Sequence, residues 1–161
     1  MHAIAVSKVF YKSVWIVFNE RIMKKVLGLD LGSRTCGIAM SDILGMIAHG
    51  VETFRFKPDD YLTCAKHVKE IVEENEIETI VLGLPKHMNG DIGERGQISI
   101  EFKKQLEEMI EGINVILVDE RLTTVVAENQ LLFADVSRKK RKQVIDKMAA
   151  VAILQGYLDR G

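Results

Sequence analysis

The stretch KVLGLDLGSRTCGIAMSD, residues 25–42, decides how this chain folds. In an extended segment side chains alternate, so Val26, Gly28, Asp30 and Gly32 fall on one face and Leu27, Leu29 and Leu31 on the other. Ser33-Arg34-Thr35 then makes a tight turn, and CGIAMSD begins a second strand. A third run, GVETFRF, follows a further glycine, so the opening reads as a three-stranded antiparallel meander. The face around Asp30 is stripped of bulk, because glycines flank the carboxylate and the second strand adds Gly37, Ala39 and Ser41. Glycine inside a strand weakens it and marks close approach by a ligand or another backbone. A strand-end Asp satisfied by turn amides is the plainer alternative, and this stretch alone leaves it open.

Downstream, Pro58 in a first turn with Asp59 and Asp60 predicts a helix to about Glu76. Its apolar face is Leu62, Ala65, Val68, Ile71 and Val72, and Glu70, Glu73, Glu74 and Glu76 crowd its exposed end. ETIVLGLP reads as a strand buried on both faces, and Lys86 to Gln97 as a polar loop. A helix to about Glu111, the strand INVILV and the triplet Asp119-Glu120-Arg121 come next. Thr123 caps a short predicted helix through Phe133, and a long one runs from about Ser137 to Asp159. The order β-β-β-α-β-α-β-α-α predicts an α/β domain: a mixed sheet of five strands, the meander plus two more, flanked by helices.

The chain has 161 residues, 47% hydrophobic and 28% charged, the balance of one ordinary globular domain. A net charge of −1 carries no global signal for nucleic acid or membrane, but residues 136–147 alone carry +5. Neither the cysteines, Cys36 and Cys64, nor the four histidines fall at metal-ligand spacing, so a zinc site is not expected. Two unpaired cysteines fit a reducing compartment, and the cytoplasm is the expected location. Residues 1–22 hold four of the aromatics, yet the apolar run VWIVF is too short to span a bilayer. They read as an extension outside a domain of residues 23–161, with Met23 as a natural start before the first strand.

Three carboxylates carry the candidate chemistry. Asp30 ends the first strand, and Asp119-Glu120 ends the strand before Arg121, where α/β sheets bind ligands. Asp146 shares a helix face with Ala149, Ala150, Ile153 and Tyr157 on a helix that is otherwise apolar beyond Met148. A carboxylate entering such a core is paired or bound to a metal, and a salt bridge to Lys142 or Lys147 is the alternative. Oxygen-only donors from the three elements suit Mg²⁺ or Mn²⁺, ions that promote phosphodiester displacement. The basic run with Lys139 and Lys142 precedes Asp146 on its helix and suits a nucleic-acid backbone. The Gly-rich loop from Lys86, with Asn89 and Arg95, offers amides and a guanidinium to a phosphate.

Four motifs in order resemble one family: LGLDLGSRTCGIAMSD (27–42), VLGLPKHMNGDIGERGQ (81–97), VDERLTT (118–124) and VSRKKRKQVIDKMAAVAILQGYLD (136–159). They are similar to the YqgF family, whose members are described as pre-16S rRNA nucleases and as Holliday-junction-resolvase-like proteins with an RNase H-like fold. The resemblance covers residues 23–159. It implies Asp30, Glu120 and Asp146 as catalytic metal ligands, with Asp119 second to them. It also implies a substrate-binding set of Ser33, Arg34, Thr35, Lys86, Asn89, Arg95, Arg121, Lys139 and Lys142. Ala149 stands where related junction resolvases lead one to expect a second helix carboxylate.

Two rival functions are weaker. DLGSRT resembles the phosphate turn of the actin and sugar-kinase group, but those enzymes clamp a nucleotide between two such domains. A binding module for structured RNA would not require three placed carboxylates. The expectation is a metal-dependent endonuclease acting on precursor 16S rRNA, or alternatively on branched DNA, with no membrane partner.

Overall fold

A computed structural model describes residues 24–121 and 137–161, apart from the side chains of 141–144 and 146. Its elements are β1 (Val26–Leu31), β2 (Thr35–Ser41), β3 (Ala48–Arg55), α1 (Tyr61–Asn75), β4 (Thr79–Leu84), α2 (Glu94–Met109), β5 (Asn114–Asp119) and α3 (Arg138–Asp159). The five strands form one mixed sheet in the order β3-β2-β1-β4-β5. β1, β2 and β3 are the antiparallel meander, while β4 pairs parallel with both β1 and β5. Parallel neighbours need a crossover, which α1 supplies between the meander and β4 and α2 between β4 and β5.

The alternation along β1 sorts the two layers. Leu27, Leu29 and Leu31 point into a core shared with Ala65, Val68 and Val72 of α1 and with Phe102 and Leu106 of α2. The opposite face joins Ala39, Val81 and Val118 to Ala150, Ile153 and Leu154 of α3. Gly28 lets α3 lie directly on the sheet, since a Cβ there would stand 2.7 Å from Leu154 Cβ and 3.1 Å from the Ala150 carbonyl oxygen. At the far end of α3, the Gln155 side chain accepts from Ala48 N–H at 2.9 Å and donates to the Met46 carbonyl at 2.9 Å. Eight residues earlier the stem of Lys147 crosses Gly50. The N-terminus of α3 therefore points toward the carboxyl ends of β1 and β3.

Several boundaries differ from the sequence reading. Pro58 lies outside α1, because Asp59 adopts φ 61°, a left-handed conformation that breaks a helix. Asp60 caps the helix instead, its carboxylate accepting from Thr63 N–H at 3.3 Å and Thr63 Oγ1 at 2.7 Å. Leu62, expected on the apolar face, is 47% exposed. α2 begins at Glu94, inside the expected loop: Gly96 does not break it but brings its first turn against the Pro85 carbonyl. The short helix expected from Thr123 to Phe133 lies outside the described residues. Cys36 and Cys64, 28 positions apart in sequence, meet in the core as free thiols joined by a side-chain hydrogen bond. That contact, with burial, raises the Cys36 thiol pKa well above its usual value. Among the described residues no helix is long and apolar enough to cross a membrane.

Candidate active site

Asp30 and Glu120 come together although the chain separates them by six elements. Asp30 faces α3 beside Gly37, its partner in the β1–β2 register. Glu120 follows β5, and its amide donates to the Leu84 carbonyl at 3.3 Å, which continues the β4–β5 ladder by one step. Its carboxylate lies over Gly83, where a Cβ would overlap Glu120 Oε1 and stand 2.7 Å from Ile153 Cδ1. Only glycine leaves room there for the carboxylate.

The two carboxylates lie within interacting distance of each other. Burial, then the charge of Asp30 and a side-chain hydrogen bond with it, push the Glu120 pKa up to about 8, against a smaller opposing pull from Arg95. Arg95 in the first turn of α2 donates to the Leu31 carbonyl at 3.1 Å and to Tyr61 Oη at 3.2 Å. Tyr61 in turn donates to Asp59 Oδ1 at 3.0 Å. Arg95 thus ties the ends of β1, α1 and α2 together beside the acidic pair.

Asp119 points its charge elsewhere. Its carboxylate takes Arg121 Nε and Nη2 at 2.9 and 2.7 Å, accepts the Arg121 amide at 3.1 Å, and lies 3.9 Å from Lys86 Nζ. The Arg121 side chain and then its amide hold the Asp119 pKa below the usual carboxylate range. Asp119 therefore fixes Lys86 and Arg121 on the rim of the site. Gly90, at φ 92°, faces Arg121 from the loop, 3.5 Å from Nη1 to the position of a Cβ.

The remaining predicted residues are dispersed around this pair. Ser33 and Arg34 are exposed, and their carbonyls accept the Asp59 and Phe56 amides, each at 2.9 Å. Gly32 N–H donates to the Thr35 carbonyl at 2.7 Å, which closes the β1–β2 turn. Asn89 Nδ2 is held by Asp91 Oδ2 at 2.8 Å within its own loop. Loop amides expected to be open to a phosphate are partly used internally: His87 N–H goes to Asp91 O at 2.9 Å and Gly90 N–H to His87 O at 2.8 Å. Lys139 is exposed in the first turn of α3. Asp146 and Lys142 lie in α3, and their side chains are outside the described residues. Asp146 is one turn from Ala150 on the same helix face, toward the carboxyl end of β1. Among the described residues no group of three His, Cys, Asp or Glu side chains gathers into a metal-sized cluster.

The sequence reading missed Tyr61, whose hydroxyl aims Arg95, and the His67–Glu52 contact at 2.5 Å between α1 and β3. His67 also stacks on Phe54 with centroids 3.9 Å apart. No local pattern in the sequence pairs His67 with a strand residue.

A mixed sheet of this order, with acidic side chains meeting at the carboxyl ends of β1 and β5, defines a class: nucleases with an RNase H-like fold. A family model described as "RuvX: Holliday junction resolvase" matches residues 24–160. The chain belongs to that family, and the resemblance drawn from its four motifs holds. The chain is 53% identical over 135 residues to a Staphylococcus epidermidis protein named "Putative pre-16S rRNA nuclease", covering 84% of this chain and 95% of that one. A Staphylococcus aureus protein of the same name is 51% identical over 138 residues, covering 86% and 97%. In fold the chain is similar to Thermus thermophilus RuvC in complex with a Holliday junction substrate, with TM-score 0.54 and 12% identity over 85% of this chain and 94% of that one. The fowlpox virus Holliday junction resolvase gives TM-score 0.53 and 12% identity over 85% and 99%.

Proposed function

We propose that this protein is a divalent-metal-dependent endonuclease that hydrolyses phosphodiesters in structured nucleic acid, and that its role is 5′-end processing of precursor 16S rRNA. The observation that carries the reading is the Asp30–Glu120 pair. Two half-buried carboxylates brought together on a glycine-lined face hold a conflict of charge that a divalent cation would relieve. The donor set fits such an ion: both groups offer oxygen, which suits Mg²⁺ or Mn²⁺. Asp146 is the third ligand we assign, by its position on α3. A cation held by these residues would supply an activated water and charge for the leaving oxygen.

The chain's own residues do the rest. Asp30 of β1 and Glu120, just past β5, would hold the ion, and Arg95 holds the β1 end in place. Lys86 and Arg121, oriented by Asp119, present positive charge to the scissile phosphate. Ser33, Arg34 and Thr35 follow the carboxyl end of β1 and Asn89 follows that of β4, and Lys139 and Lys142 would carry the backbone past the pair. Two buried free thiols fit a reducing compartment, so we place the reaction in the cytoplasm.

The names of the curated relatives support the RNA substrate. The family description and the junction-bound neighbour support a second reading, resolution of branched DNA. Purified protein incubated with precursor rRNA and with a four-way DNA junction, each in Mg²⁺, Mn²⁺ or chelator, separates them. Cleavage of the rRNA near its mature 5′ end, lost in chelator and in Asp30→Asn, is the expected result. Binding without cleavage in either metal would mean a non-catalytic assembly factor, and cleavage of the junction alone would mean a resolvase.

A further inference from the structure

The turn after Asp30 is backed by a second basic element that none of the motifs includes. Thr35 pairs with Arg55 in the β2–β3 register, and the Arg34 carbonyl accepts the Phe56 amide at 2.9 Å. Arg34, Arg55 and Lys57 thus crowd one corner of the sheet, and all three are exposed. Among the described residues neither Arg34 nor Arg55 makes an ion pair. Beside them lies an open hollow of about 570 Å³, lined by Arg55, Phe56, Lys57, Asp60 and Thr63. The Asp60 carboxylate is taken up by capping α1.

Strand alternation puts this corner on the working face. Asp30, Gly37 and Thr53 form one row across β1, β2 and β3. Glu52 and Phe54 turn the other way, toward His67 of α1. Arg55, two residues beyond Thr53, therefore shares the face of Asp30. Two strand spacings of about 4.8 Å and two residue rises of about 3.4 Å put its Cα about 12 Å from that of Asp30. Successive phosphates on one strand are farther apart than the axial rise of about 3.4 Å, so that span is at most three to four steps from the bond to be cut. The exposed first turn of α3 points to the same side, beyond Gly50.

We infer that Arg55 and Lys57, with Arg34, form a phosphate-binding lane on the β3 edge that carries the substrate backbone within a few nucleotides of the scissile phosphate. The inference rests on the nuclease reading and extends its substrate site to residues outside the family motifs. The ligand chemistry is the phosphodiester backbone, and RNA and DNA are the two arms of the test.

Binding is measured in chelator, with the whole chain, to a hairpin RNA with a single-stranded flank and to a four-way DNA junction, across a salt series. Arg55→Glu with Lys57→Glu should weaken binding of the cognate arm by about tenfold or more at low salt, and flatten the salt slope by about 0.7–0.9 for each lost contact. In metal, KM should rise with kcat unchanged. Arg55→Lys with Lys57→Arg should bind as the parent does, and so should Lys104→Glu on α2, away from the site. Equal affinity and slope for the double Glu variant, or an equal loss in Lys104→Glu, would overturn the lane and leave the nuclease reading standing. A parent that binds neither nucleic acid would overturn that reading, and the lane with it.

Discussion

Glu120 is held where its charge is least welcome, and its pKa of about 8 makes that measurable. Unfolded, the group titrates near its ordinary 4.5. Between those values the folded chain keeps a proton that the unfolded chain has released. Stability of the metal-free protein therefore falls as pH rises from about 4.5 to about 8 and then levels off, by a few kcal/mol in order of magnitude. Thermal unfolding in chelator across this range checks it, and Glu120→Gln should remove most of the slope. Adding Mn²⁺ at high pH should raise the midpoint, since an ion that binds only the folded state stabilises it. Gly83→Ala tests the same spot from below: its methyl would enter the space of Glu120 Oε1 and crowd Ile153. We expect a loss of about 1–3 kcal/mol and a weaker response of the midpoint to Mn²⁺. An unchanged Mn²⁺ response would mean that the Glu120 carboxylate has room to sit elsewhere. At this scale the two acidic residues that the structure brings together, Asp30 and Glu120, were both singled out by local signals, strand alternation and a strand end. The Tyr61–Arg95 tie was not, because nothing in the sequence near either residue names the other.

Elements were legible where periodicity ran long and misread where a single residue decided. β1 to β5 and α3 stand within a few residues of their expected bounds. Pro58 misled because a helix-starting proline and a proline in a preceding turn look alike until the backbone of Asp59 is known. Gly93 and Gly96 suggested a loop, whereas Gly96 is the close-packing point of α2. The prediction at this scale concerns α3, which lies on the sheet through Ala150, Ile153 and Leu154 and begins in a basic turn. Replacing Lys139, Lys140 and Lys142 by Ala should leave the apolar contact, and so the melting temperature, within about a degree or two, since surface changes move stability little. Nucleic-acid affinity should drop, and its salt slope should shrink by about 0.7–0.9 per contact. An unaltered slope would reduce the run to a solvated face.

For the whole molecule the legible part was the order of elements; what sequence could not supply was who meets whom. Starting the chain at Met23 should leave melting temperature and nuclease activity unchanged, because β1 begins at Val26 and every assigned site residue follows it. Side-by-side unfolding of the two forms decides it: a fall of several degrees would mean that the cluster from Val14 to Phe18 buries real surface on this domain. The sheet order has a consequence in time as well as in space. Among the described residues β5 joins the sheet only through β4, and it brings Glu120 to an Asp30 made ninety residues earlier. Translation adds about 5–20 residues per second, so for several seconds the growing chain holds one half of its acidic pair. If Asp30 and Glu120 are the ligands proposed above, a ribosome making this protein works beside a hydrolase that cannot yet cut, and the nascent chain would gain its chemistry only after Glu120 has cleared the exit tunnel.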